Sequence, residues 1–302
     1  MPKTTRQGAA RVRRAAPAPR GGNADAAIAV FDSGIGGLTV FKEIARRLPR
    51  ENLLYLGDTA RLPYGTKSPE NVRGCSIEIG DFFADRGVKL MVVACNTMSA
   101  IALDELRARY DVPVVGVITP GARAAVAATS RGRIGVIGTE ATIASGAYER
   151  EIRSLSPHAE IFARACPLFV PLAEEGWLDN EVARRAVGIY LGSLRKSGID
   201  ALILGCTLYP LLKPAIADFV GKGVRIVDSA EETAGEVRRL LQERALLRTR
   251  GRGTASFFVT DGVQRFLQVG ERFYGSSVAS AVRVVLRGDS RAERPGRLTR
   301  RA

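Results

Sequence analysis

The chain has 302 residues, 46% of them hydrophobic, enough to bury a substantial core in one large domain or two of ordinary size. No apolar run approaches the roughly 18–20 residues that span a bilayer, and four scattered cysteines without a CxxC pair, with one histidine, exclude a disulfide framework and a zinc site. The net charge of +14 raises the question of nucleic acid, but ten of those charges sit at the two ends of the chain, which leaves the rest nearly balanced.

Residues 1–24 hold six Lys/Arg and no acid, and residues 287–302 hold six Arg against Asp289 and Glu293. Rich in Arg, Ala, Gly and Pro, both are predicted to be disordered basic tails, read as solvated low-complexity ends rather than a nucleic-acid site, and no nucleic-acid partner is expected. Without a secretory apolar segment or paired cysteines, the protein is expected to be cytoplasmic, with free thiols.

From Ala26 onward, short apolar runs alternate with amphipathic segments. Strands are predicted at 27–32, 52–58, 89–95, 113–118, 133–139, 160–166, 201–206 and 224–229, and helices at 38–48, 69–86, 98–109, 179–197 and 230–247. The strand runs are rich in Val, Ile and Leu without strict alternation, as expected of strands covered on both faces. Strand–helix repetition of this kind predicts an α/β fold with mainly parallel sheets.

In such sheets ligands settle beyond the carboxyl ends of the strands, so the turns there carry the chemistry. "FDSGIGGLTV" (31–40) closes a strand on Asp32 and Ser33 and opens a helix whose free N–H groups suit an anion. It has neither the lysine and spacing of a P-loop nor a dinucleotide fingerprint, and no cofactor or metal is expected. "GDTARLPYGTKS" (57–68) reads as a long loop in which Tyr64, Gly65 and Thr66 are free to hydrogen-bond a small polar ligand. Ser68 is placed to cap the helix that follows. "LMVVACNTMSA" (90–100) and "ALILGCTLYPLL" (201–212) each end an apolar strand at a cysteine, Cys95 and Cys206, with Thr97 and Thr207 just beyond. A helix N-terminus after each is expected to draw the thiol pKa from about 8.5 towards neutrality. Cys75 and Cys166 read instead as small buried hydrophobes.

The chain also echoes itself. "AVFDSGIGG" precedes Cys95 as "GVIGTEATI" precedes Cys206, with Asp32 aligned to Gly138, consistent with two similar halves. A thiol hydrolase needs a histidine beside its cysteine, and His158, in "LSPHAE", reads as a loop residue. Disulfide redox needs the two thiols within bonding distance. The remaining chemistry places one thiol on each face of a substrate carbon: one removes a proton, the other delivers one. That is racemisation without a cofactor.

The motifs "FDSGIGGLTV", "YLGDTARLPYGTKS", "VVACNTMSA", "GVIGTEATIASGAY", "CPLFVPLAEEGW", "ILGCTLYPLL" and "FFVTDGVQRFLQVGERFYG", in order over about residues 26–276, resemble those of the glutamate racemase family. The resemblance implies two pseudo-symmetric three-layer α/β domains with the active site between them. The first comprises residues 25–119 plus 229–286 and the second residues 120–228. It further implies interconversion of L- and D-glutamate, the D form feeding peptidoglycan synthesis, and a homodimer. Matched by position, Cys95 and Cys206 are the catalytic thiols, and Asp32 and Glu174 the carboxylates near them. Asp32, Ser33, Tyr64, Gly65, Asn96, Thr97 and Thr207 contact substrate. One position departs: the family has histidine directly after Thr207, and this chain has Leu208. General acid–base assistance is worth about 10²–10⁴-fold, so a slowed racemase is expected. The alternatives are a racemase for aspartate or another acidic amino acid, or a catalytically impaired glutamate-binding regulator.

Overall fold

The computed structural model describes residues 23–286. The predicted basic tails, apart from Asn23 and Ala24, lie outside the described residues. The strands are β1 (Ile28–Asp32), β2 (Leu53–Gly57), β3 (Leu90–Val93), β4 (Val114–Gly116), β5 (Arg133–Gly138), β6 (Glu160–Ala165), β7 (Ala201–Gly205), β8 (Arg225–Asp228), β9 (Ala255–Val259) and β10 (Val282–Arg283). They form a six-stranded sheet in the order β10-β9-β2-β1-β3-β4 and a four-stranded sheet in the order β6-β5-β7-β8. Every pairing is parallel.

The eight predicted strands coincide with β1 to β8. The sequence reading has no counterpart to β9 or β10. β10 is two residues long and exposed on both faces, so no hydrophobic pattern marks it. The predicted helix 98–109 is two helices, Asn96–Ile101 and Leu103–Arg109, broken at Ala102.

The runs lack alternation because both faces of each sheet are covered. Ile28, Val30, Tyr55, Leu90 and Val92 point into one core, and Ala29, Phe31, Leu56, Met91 and Val93 into another on the opposite face. The smaller sheet divides likewise, with Ile137, Leu202 and Leu204 on one side and Ile134, Val136, Ala201 and Ile203 on the other. Each sheet is therefore the middle of three layers. Phe31 is fully buried, and truncating it to alanine costs about 3–5 kcal/mol.

The two sheets share one topology. β2-β1-β3-β4 and β6-β5-β7-β8 are the same order, with the first and third strands of each half side by side. In a doubly wound sheet that pair flanks the point where strand order reverses, where ligands bind. Asp32 ends β1 beside Cys95 after β3. Gly138 ends β5 beside Cys206 after β7, as the sequence echo predicts. At the opposite end of the larger sheet, Lys89 and Glu51 form a fully buried ion pair. Lys89 Nζ also donates to the carbonyls of Ala24 (2.6 Å) and Leu246 (2.9 Å). Removing either partner strands a buried charge.

Candidate active site

The carboxyl ends of both sheets open onto one cavity of ≈ 150 Å³, a volume on the scale that holds one small molecule. All ten site residues expected from the sequence line it. Asp32, Ser33, Tyr64, Gly65, Cys95, Asn96 and Thr97 come from the larger-sheet half, and Glu174, Cys206 and Thr207 from the smaller. Cys95 and Cys206, each 6% exposed, enter from opposite halves. Cys75 and Cys166 are in the cores, all four thiols are unpaired, and His158 is exposed in a turn.

Close approach of the halves depends on Gly36. A Cβ there would lie 2.4 Å from Thr207 Oγ1 and 2.8 Å from Leu208 Cδ1, so any side chain would push the second thiol turn away. Leu208 itself lines the cavity and packs against cores of both halves. At the position where the resemblance expects an imidazole, the chain has apolar interdomain packing.

Asp32 is the buried anion of the site. Its Oδ2 accepts from the Gly34 N–H at 2.9 Å, while its Oδ1 is buried without a hydrogen-bond partner among the described residues. Burial raises its pKa, opposed by the N–H groups of Gly34, Gly37 and Ser33 and by the Thr207 hydroxyl. Burial likewise raises the pKa of Glu174, in the helix Phe169–Glu175. Asn96 presents the complementary orphan: its Oδ1 accepts from Tyr148 Oη (2.7 Å), and its Nδ2, a donor, has no partner among the described residues. Thr97, Thr139 and Thr142 bring three hydroxyls within 2.9–3.2 Å of one another across the halves.

The thiols differ from expectation. Burial pushes Cys95 up to about 11, with the Asp32 charge adding to it and the Met98 N–H and Ser33 opposing it. The Cys95 thiol donates to Ser33 Oγ at 3.6 Å. Cys206 is pushed higher still by burial; the Asp32 charge adds to that, as would a thiolate at Cys95. The helix expected directly after Cys206 is absent. A turn leads into a 3₁₀ segment, Tyr209–Leu212, and the α-helix begins only at Lys213. Desolvation therefore outweighs the few N–H groups that reach each sulfur, and both thiols favour the protonated form at neutral pH.

Tyr64 lines the cavity as expected, with its hydroxyl turned to another partner. Its hydroxyl donates to the buried Asp58, which is held by Arg61 Nε (2.7 Å) and Thr260 Oγ1 (2.9 Å). The residue walls the cavity with a hydroxyl already engaged. Conversely, Thr139 and Glu140 line the cavity without being foreseen. The alignment of Asp32 with Gly138 places Thr139 opposite Ser33, and that was the signal available for it.

Among the described residues no lysine or arginine lines the cavity; the charged lining groups are Asp32, Glu140 and Glu174. The described residues also contain no cluster of His, Cys, Asp and Glu arranged for a metal. No helix among them is long and apolar enough to cross a membrane.

A family model described as Asp/Glu/hydantoin racemase matches residues 8–237. The chain belongs to that family. It is 54% identical to a glutamate racemase of Geobacter metallireducens over 264 residues, covering 87% of this chain and 98% of the relative. A solved glutamate racemase isoform from Bacillus anthracis superimposes with a TM-score of 0.83 at 42% identity, over 86% of this chain and 97% of that one. The Francisella tularensis glutamate racemase, solved with D-glutamate, gives 0.81 at 37% identity over 87% and 98%. Likeness at this level over nearly the whole described chain makes this member of the racemase family an amino-acid racemase, an isomerase.

Proposed function

We propose that the chain interconverts L- and D-glutamate without a cofactor, with Cys95 and Cys206 as the two proton-transferring groups. The observation that carries this reading is that two thiols from opposite halves line one cavity of single-ligand size. The relatives named glutamate racemase, one of them solved with D-glutamate, supply the substrate.

Glutamate brings one ammonium and two carboxylates. The unpartnered Asp32 Oδ1 takes the ammonium, and the neutral donors, Asn96 Nδ2 and the hydroxyls of Ser33, Thr97 and Thr207, take carboxylate oxygens. One sulfur, as thiolate, then removes the α-proton. The electron pair of the broken C–H bond moves into the α-carboxylate, and the second sulfur, as thiol, protonates the opposite face of the carbon. The sulfurs end with exchanged protonation states.

Asp32 makes this chemistry conditional on substrate. Its charge adds to the burial that raises both thiols. An ammonium against Asp32 offsets that charge, so a thiolate forms more readily once substrate is bound. The D-glutamate formed feeds peptidoglycan synthesis in the cytoplasm, and the working unit is a homodimer. The family resemblance supports these last points, and light scattering checks the assembly.

The test is incubation of each enantiomer in D₂O. Product of the opposite configuration carrying deuterium at Cα is expected, as is loss of the reaction in Cys95→Ala and Cys206→Ala. Absence of α-hydrogen exchange from both enantiomers overturns the proposal.

A further inference from the structure

Tyr148 enters neither the sequence-derived site nor the lining of the cavity, yet it touches both thiol turns. It lies in the helix Ala147–Leu155 of the smaller-sheet half and is 3% exposed. Its hydroxyl donates across the interface to Oδ1 of Asn96, the residue after Cys95, at 2.7 Å. Its ring lies against Gly205, the residue before Cys206, so closely that a Cβ on Gly205 would come within 3.0 Å of Cε2. The side chain of Ser229 reaches the same hydroxyl. One rigid phenol thus spans from the backbone of one sulfur to the neighbour of the other.

The consequence for Asn96 follows from hydrogen-bond inventory. An amide has one acceptor oxygen and one donor nitrogen, and only the oxygen suits a phenol O–H as donor. With Oδ1 engaged by Tyr148, Nδ2 is left buried and unpartnered on a residue that lines the cavity. A buried donor without an acceptor is costly, and a ligand oxygen removes the cost.

We propose that Tyr148 is a positioning residue that fixes the Asn96 amide with its nitrogen towards a substrate carboxylate and holds the two thiol turns at a set separation. The inference rests on the glutamate racemase reading and extends it to a residue outside the cavity. It also explains why a fully buried tyrosine occurs at the seam of the two halves, where a phenylalanine would fill the same space.

Tyr148→Phe removes one oxygen and keeps the ring against Gly205. The amide is then free to rotate, and KM for both enantiomers is expected to rise about tenfold, with a smaller fall in kcat. Asn96→Ala should raise KM by at least as much. In the Asn96→Ala background, Tyr148→Phe should then leave KM unchanged, because the group it aims is gone. A Tyr148→Phe variant with wild-type KM overturns the proposal. So does a Tyr148→Phe effect on KM that persists undiminished without Asn96, since a merely structural role gives that result.

A second measurement reads the wild-type protein and does not depend on how Tyr148→Phe folds. The Asn96 side-chain amide resonances, assigned by their absence in Asn96→Ala, should shift on saturation with D-glutamate. Unshifted resonances in an enzyme that binds and racemises glutamate overturn the proposal while leaving the activity standing. Failure of the wild type to bind or racemise glutamate defeats the underlying reading instead.

Discussion

The two halves share a strand order but surround their sulfurs differently. Cys95 stands at the N-cap of an α-helix, and the Met98 N–H and Ser33 meet it. Cys206 opens a turn and a 3₁₀ segment, with the N–H groups of Leu208 and Tyr209 as its donors and Asp32, together with Cys95 once that is a thiolate, as the opposing charge. Topology places both sulfurs at equivalent switch points, while local backbone and burial set how readily each gives up its proton. The lesson is that a duplicated scaffold fixes where groups stand and leaves their acidity to the immediate neighbours.

The largest expected effect comes from removing either sulfur. Cys95→Ala and Cys206→Ala should each lower kcat by at least about 10⁴-fold, because neither half has a second proton carrier at the same place. Circular dichroism of both enantiomers measures this, and a variant that keeps a tenth of the activity would break the two-sulfur comparison. Asp32→Asn comes next. Loss of the partner for the ammonium should reduce kcat/KM by about 10²-fold. Removing the anion also lowers both thiol pKa values, so the remaining activity should extend to lower pH than in the parent. An unchanged profile would mean that Asp32 does not couple to the sulfurs.

Leu208→His sharpens the contrast between the halves. An imidazole beside the less acidic sulfur should raise kcat, by up to about 10²-fold if it carries the proton. No increase would mean that another group already fills that role. The pH dependence has a definite sign. The thiol pKa is raised, to about 11 for Cys95, and the thiolate is the reactive base, so the reactive fraction in the free enzyme grows with pH. kcat/KM is therefore expected to climb between about pH 7 and 9 without a plateau. The smallest effect is the most diagnostic of asymmetry. The equilibrium constant between enantiomers is one, so damage to either sulfur lowers kcat/KM equally in both directions. Unequal α-deuterium isotope effects for L- and D-glutamate are expected, since the two sulfurs do not limit the rate alike.

Much of this was legible in the sequence because it is carried by strong local patterns. The central strands of both sheets, β1, β3, β5 and β7, announce themselves as apolar buried runs, and the turns after them are where a parallel sheet puts its chemistry. The sequence was silent where the signal is not local. β10 has no apolar pattern, and Thr139 is meaningful only through the echo with Ser33. Tyr148 matters because of contacts made from a different half of the molecule. The acidity of the sulfurs was misjudged for a related reason: a helix N-terminus is visible in a sequence, but the desolvation that overrides it arises only when two halves close. Tyr64 shows the same limit. Its place in the loop is readable, whereas its bond to Asp58 depends on a network completed by Thr260, which lies 202 residues further along the chain.

With glutamate as the proposed substrate, a cavity that takes a net-negative amino acid with no lysine or arginine among its described lining residues has a practical consequence for affinity. Recognition of the carboxylates through the Asn96 amide and neutral hydroxyls, with Asp32 held for the ammonium, owes little to long-range fields, which dissolved ions attenuate over about 10 Å at 0.1 M. Glutamate affinity should therefore stay nearly level as potassium chloride is added. Sulfate and phosphate, which compete where guanidinium or ammonium groups do the holding, should be poor inhibitors of this enzyme.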